Sequence, residues 1–133
     1  MPRLAVVVLL LTLTLAAQTK SKPDLIAGEW KGDSICVIKD SPCHDEIASY
    51  QFKAVAGKPG TYTLDGGKVV NGERVAMGLM ECNFDAAASA LACSDPQHAG
   101  PKLSLTLKDD TLTGTLARPD GQLIRRISLT RAK

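Results

Sequence analysis

The chain has 133 residues, a formal charge of +2, two histidines and four cysteines. That length fits a single domain. Charges of both signs are interspersed along it, so it offers no basic face of the kind nucleic-acid partners need.

Arg3 opens a nearly unbroken apolar run, Leu4 to Leu15, and the small residues Ala16 and Ala17 follow. A basic start, an apolar stretch and small residues predict a secretory signal peptide over 1–17. The run falls short of the roughly 20 apolar residues that cross a bilayer, and no later stretch is long enough. The mature chain is therefore expected to be secreted or periplasmic, with no membrane span once the signal is removed. Residues 18–26, polar and broken by Pro23, read as a flexible lead-in, and 27–133 as one domain.

From Ala27 the pattern is that of strands. Trp30, Gly32, Ser34 and Cys36 alternate with Glu29, Lys31, Asp33 and Ile35, and Asp40-Ser41-Pro42 marks a turn. Over 46–55, Ala48, Tyr50, Phe52 and Ala54 fall on one face, the period of a half-buried strand. Tyr62 and Leu64 mark a short third strand. Asp65-Gly66-Gly67 reads as a hairpin turn, because glycine reaches positive φ without steric penalty. Lys68 to Val70 is then a fourth piece, and Asn71-Gly72 turns the chain again. Met77 to Phe84 fits a strand, 85–90 a turn, and 95–101 a loop. Leu103, Leu105 and Leu107 alternate with polar residues, as do Leu112, Gly114 and Leu116. Asp109-Asp110 lies between these two runs. Pro119-Asp120-Gly121 is a strong turn, and the last strand carries Leu123, Arg125, Ile127 and Leu129 on one face. About eight to ten short antiparallel strands joined by tight turns predict an all-β fold, a small up-and-down barrel of about eight strands.

An even number of cysteines in an exported chain implies disulfides. Cys36–Cys43 and Cys82–Cys93 are favoured, because each pair is close in sequence and brackets a turn-like segment. A hairpin centred between Ala87 and Ala88 sets Cys82 opposite Cys93 and Phe84 opposite Leu91, all on one face. Six and ten intervening residues are unlike the C-x-x-C spacing of zinc ligands.

Arg125 is the oddity of the last strand, since it shares the apolar parity. A buried guanidinium needs acceptors or an aromatic ring, and the chain has a single Trp. A closed barrel brings first and last strands together, so Arg125 is expected to pack across Trp30. With Gly28-Glu29-Trp30 on the first strand and a basic residue on the last, the chain resembles the calycins. These are the superfamily of lipocalins, fatty-acid-binding proteins, avidins and some protease inhibitors. The resemblance implies that Gly28, Trp30 and Arg125 close one end of the barrel. The chain is shorter than a typical lipocalin, lacks the late helix, and has too few tryptophans for an avidin-like biotin site. Ser41-Pro42-Cys43-His44-Asp45-Glu46, with Val70-Asn71-Gly72-Glu73 and Met77-Gly78, also resembles small secreted bacterial proteins of no established function. That likeness transfers no activity.

Two further sets are candidates for function. His44 and Glu46 share one strand face and could bind a metal weakly, with His98 arriving from a distant loop. The alternative is a polar start to a strand, with Asp45 or Glu46 paired to a nearby Lys or Arg. Tyr50, Phe52, Tyr62 and Met80, with Met77, would line an apolar pocket of several hundred Å³ if their face points inward. If side chains fill the lumen, the same residues are core. The chain has no G-x-S-x-G, no H-E-x-x-H, no phosphate loop and no spare cysteine, so no enzymatic activity and no cofactor are expected. The expected function is non-catalytic binding of a small, partly apolar ligand in the barrel mouth. The alternative is a protein-interaction module, such as an inhibitor of a secreted protease, that works through residues 18–27 or the loops.

Overall fold

The computed structural model describes residues 24–133. The expected signal peptide, 1–17, and residues 18–23 of the lead-in lie outside them.

Eight antiparallel strands close into a barrel, each hydrogen-bonded to its neighbours in sequence and the last to the first. They are β1 (Gly28–Cys36), β2 (Glu46–Ala54), β3 (Thr61–Val70), β4 (Glu73–Asp85), β5 (Ala90–Ser94), β6 (Lys102–Lys108), β7 (Thr111–Ala117) and β8 (Leu123–Arg131). Odd strands run from an end we call the base, where Trp30 lies, to the opposite mouth, and even strands return. The all-β barrel is as the alternation predicts. Inward residues at period two fill it, with Trp30, Phe52, Leu64, Leu91, Leu103, Leu105, Leu112 and Leu129 all buried. Both disulfides form, Cys36–Cys43 at the mouth and Cys82–Cys93 in the interior. Cys82 stands opposite Cys93 and Phe84 opposite Leu91, as the hairpin parity requires.

Turns form where the sequence supplies residues that accept positive φ. Asn71 (52°) and Gly72 (81°) join β3 to β4, Asp109 (54°) turns β6 into β7, and Gly121 (92°) sits between β7 and β8. Asp65-Gly66-Gly67 does not turn, contrary to expectation. β3 runs through it, and the pairing with β4 shifts by one residue there, leaving Met77 as the extra residue of a bulge. Glycine is needed at Gly67 for space. A Cβ there would come within 2.9 Å of the Arg74 guanidinium. Arg74 crosses Gly67 to donate to Ser49 Oγ (3.2 Å), Asp65 O (2.9 Å) and Asp65 Oδ1 (3.0 Å).

The base closes with a different arginine from the one expected. Antiparallel register puts Trp30 opposite Arg131 and Cys36 opposite Arg125. The Arg131 guanidinium lies 4.5 Å from the Trp30 ring centroid. It also donates to Ala27 O and Leu25 O. Trp30 Nε1 donates to Ile26 O at 2.9 Å. Gly28 has φ of 124°, and a Cβ there would meet Arg131 Nη1 at 3.0 Å. Glycine, tryptophan and arginine thus form one unit, with Arg131 rather than Arg125 as its cation. The lead-in is also less free than expected from Asp24 onward. Ile26 is fully buried. Asp24 Oδ1 accepts from the Ile26 and Ala27 N–H groups, and both its oxygens accept from the Tyr62 hydroxyl.

Candidate functional site

Side chains fill the lower barrel, so the space that remains is at the mouth. There β4 extends past β5, because β4 has 13 residues and β5 only five. The shortfall leaves an apolar cavity of about 200 Å³ lined by Tyr50, Leu64, Gly66, Met77, Gly78, Leu79, Met80, Leu103 and Leu116. Tyr50, Leu64 and Leu103 form buried wall, while Met77, Gly78 and Leu79 are exposed at the rim. The cavity is smaller than the several hundred Å³ expected of a carrier. A dry apolar space of about 150 Å³ can nevertheless hold a benzene-sized molecule.

Tyr50 is the one lining side chain with a strong hydrogen-bonding group, and its hydroxyl makes no hydrogen bond to the described residues. Burial pushes its pKa up to about 12, opposed by the charge of Arg125 and helped by that of Glu46. The phenol therefore stays protonated at neutral pH and keeps its proton for a ligand acceptor.

Of the four residues expected to bind ligand, the structure brings Tyr50 and Met80 to this cavity. Phe52 and Tyr62 are core residues nearer the base. Phe52 meets Tyr50 edge to face at 6.4 Å, and Tyr62 is tied to Asp24. Leu64, Leu103, Leu116 and Leu79 complete the wall and were not singled out from the sequence. The leucines at 103 and 116 sit on cleanly alternating strands, but nothing local marks which inward residues end at a void.

Across the mouth, Arg125 is a mostly buried cation with four acceptors around its two terminal nitrogens. Its Nη1 donates to Ser34 O (3.2 Å), Ser34 Oγ (3.3 Å) and His44 O (3.0 Å). Its Nη2 lies 3.4 Å from Glu46 Oε1, which also lies 3.6 Å from Lys68 Nζ. Glu46 is thus held between two cations, as the salt-bridge reading of this tract anticipates. His44 contributes its carbonyl rather than its ring. His98 borders another groove, beside Asp95. No group of three or more His, Cys, Asp or Glu side chains among the described residues is placed to hold a metal ion.

No helix among the described residues is long and apolar enough to cross a membrane, and two formed disulfides fit an extracellular or periplasmic protein. No protein-family model matches the chain, and no curated protein matches it.

Proposed function

We propose that this is a secreted, non-catalytic binding protein of calycin-like architecture that takes a small, partly apolar group into the barrel mouth. The observation that carries this reading is the cavity itself: apolar on nearly every side, open at the rim, with one hydroxyl donor, Tyr50, that has no partner among the described residues. Most ligand pockets share that composition, an apolar lining with a few polar groups that fix orientation. The size favours a ring or short chain over a lipid. Export rests on the apolar N-terminal run and is supported by the disulfides.

The methionines supply the test. The chain has three, and two of them, Met77 and Met80, line the cavity. In protein with carbon-13 methionine methyls, toluene and short alcohols such as butanol should shift both resonances saturably. Phenol should bind more tightly than toluene by using the Tyr50 hydroxyl, and Tyr50→Phe should remove that preference. Methyl resonances that stay unmoved by every probe would overturn the proposal. A second reading, a protein-interaction module, draws support from the largely filled barrel and from the anchored segment Asp24–Ala27.

A further inference from the structure

The mouth-side part of one flank of β4 has no strand against it. β4 pairs with β3 along the length Glu73–Asn83. On its other side β5 reaches only Glu81 to Asp85. Among the described residues no other backbone group bonds to Val75–Met80 from that side. Alternate backbone N–H and C=O groups there face outward over six residues, about 20 Å of strand.

Free edges are usually blunted by lysine, proline, a bulge or a covering loop. Val75-Ala76-Met77-Gly78-Leu79-Met80 contains neither residue, and Val75, Met77 and Leu79 are 43%, 49% and 65% exposed. The bulge at Met77 bends the strand, but its wall of the cavity continues along the edge. Beside the edge lies an open groove of about 470 Å³, whose far bank is the turn Asp95–His98. Groove and cavity share Leu79 and Met80. Gly78 adds no side chain between them, and a Cβ built on it meets nothing within 4 Å. A strand glycine of this kind leaves room for another backbone.

The geometry points to an extended polypeptide as the occupant: a segment of a partner protein that adds as a strand to the free edge of β4 and inserts one apolar side chain into the mouth cavity. This rests on the cavity reading above and names the kind of molecule that carries the apolar group. A row of unpaired backbone groups is matched by another backbone, not by a hydrocarbon ligand. Charge selects the segment further. Glu81 and Asp95 border the groove, and neither pairs with a Lys or Arg among the described residues. A basic residue at the corresponding end of the segment is therefore favoured. A second copy fits less well, because its own edge, Val75–Met80, carries no Lys or Arg for this end of the groove, and Arg74 beside it is already bound to Ser49 and Asp65.

The test uses nine-residue peptides that alternate threonine with valine, leucine or phenylalanine, with and without a terminal lysine. Amide hydrogen exchange and the two methionine methyls are followed together. At saturation with a binding peptide, exchange over Val75–Met80 should slow at least tenfold and both methyls should shift. The lysine-ended form should bind more tightly, and that advantage should shrink in high salt. Val75→Lys, at an exposed edge site outside the cavity lining, should weaken peptide binding at least tenfold yet still admit toluene. Toluene binding without any peptide protection would overturn this inference and leave the cavity reading standing. Failure of both probes would overturn both. Protection of the edge that grows with protein concentration and without peptide would assign it to a second copy and overturn the partner assignment.

Discussion

Replacing Arg131 with alanine removes three interactions from the base at once. The guanidinium lies 4.5 Å from the Trp30 ring centroid and donates to the carbonyls of Ala27 and Leu25. A cation over an indole contributes about 0.5–2 kcal/mol, depending on how dry the pair is. A hydrogen bond from a charged donor contributes about 1.5–3 kcal/mol when buried. Arg131 is only half-buried, so water recovers part of both carbonyls and the low end applies. The total loss should be about 2–4 kcal/mol. A change of that size shifts the melting temperature of a domain near 100 residues by roughly 10–20 °C. Arg131→Lys keeps a charge over the ring but loses the planar fork that reaches two carbonyls, so it should recover about half. Urea unfolding gives the magnitude, and Trp30, buried and the only tryptophan, gives the location. Arg131→Ala should red-shift native emission as water reaches the indole. Arg125→Ala, at the mouth, should also destabilise by a few kcal/mol but leave emission unchanged. An Arg131→Ala protein within about 0.5 kcal/mol of the parent, or an emission change in Arg125→Ala instead, would refute this account of the base.

Three other outcomes follow from the same geometry. Burial, with the hydrogen bond to Asp24 and its charge, pushes Tyr62 up to about 12, and burial does the same for Tyr50. Because both folded values are raised, this stabilisation is full below pH 10 and is lost as the pH rises to about 12. Phenolate absorbance should thus stay absent from native protein at pH 10.5, and a tyrosine ionising near 10 would contradict the packing. Burial raises the Asp24 carboxyl, but N–H donors from Ala27 and Ile26, the Tyr62 hydroxyl and the charge of Arg131 outweigh it, so its pKa is lowered from 3.8. A lowered value stabilises the fold above the unfolded pKa and is lost as pH falls through the folded one. Urea midpoints should accordingly fall from about pH 5 downward, and Asp24→Asn should flatten that slope; an unchanged slope would remove Asp24 from the base. Finally, Cys82 and Cys93 are buried whereas Cys36 and Cys43 are partly exposed. Graded reductant followed by alkylation and peptide mapping should therefore label Cys36 and Cys43 first, and the opposite order would be inconsistent with the barrel.

The alternation of single residues carried most of the fold. Leu103, Leu105 and Leu107 against Ser104, Thr106 and Lys108 specify a strand and its buried face without reference to anything distant. The turns at Asn71-Gly72 and Pro119-Asp120-Gly121 are equally local, because the residues themselves set φ. Asp65-Gly66-Gly67 has the same composition but a different cause. Its second glycine, Gly67, makes room for Arg74, nine residues ahead of Asp65, and a crossing side chain leaves no mark in the tripeptide. The arginine of the base was within reach of a simple argument. Arg125 and Arg131 share the inward parity of β8, and Trp30 lies near the start of β1. In an antiparallel closure the start of the first strand meets the end of the last, which selects Arg131. Parity identified the face, and only register could identify the level along it.

The candidate site was less legible because it is a mismatch between strands, not a property of any one of them. Tyr50 and Met80 look like Phe52 and Tyr62 in the sequence: aromatic or apolar, and inward by parity. What separates them is height in the barrel, and that follows from the pairing of β2, β3 and β4. The free flank of β4 depends on an absence elsewhere. β5 ends at Ser94 and the chain leaves through Asp95-Pro96, where proline cannot donate to a ladder. Had β5 continued, Leu79 would be a covered strand residue and the mouth cavity would be closed. Its early end exposes the apolar edge and opens the cavity together. The same early end explains why one surface offers both a backbone to pair with and a space to fill.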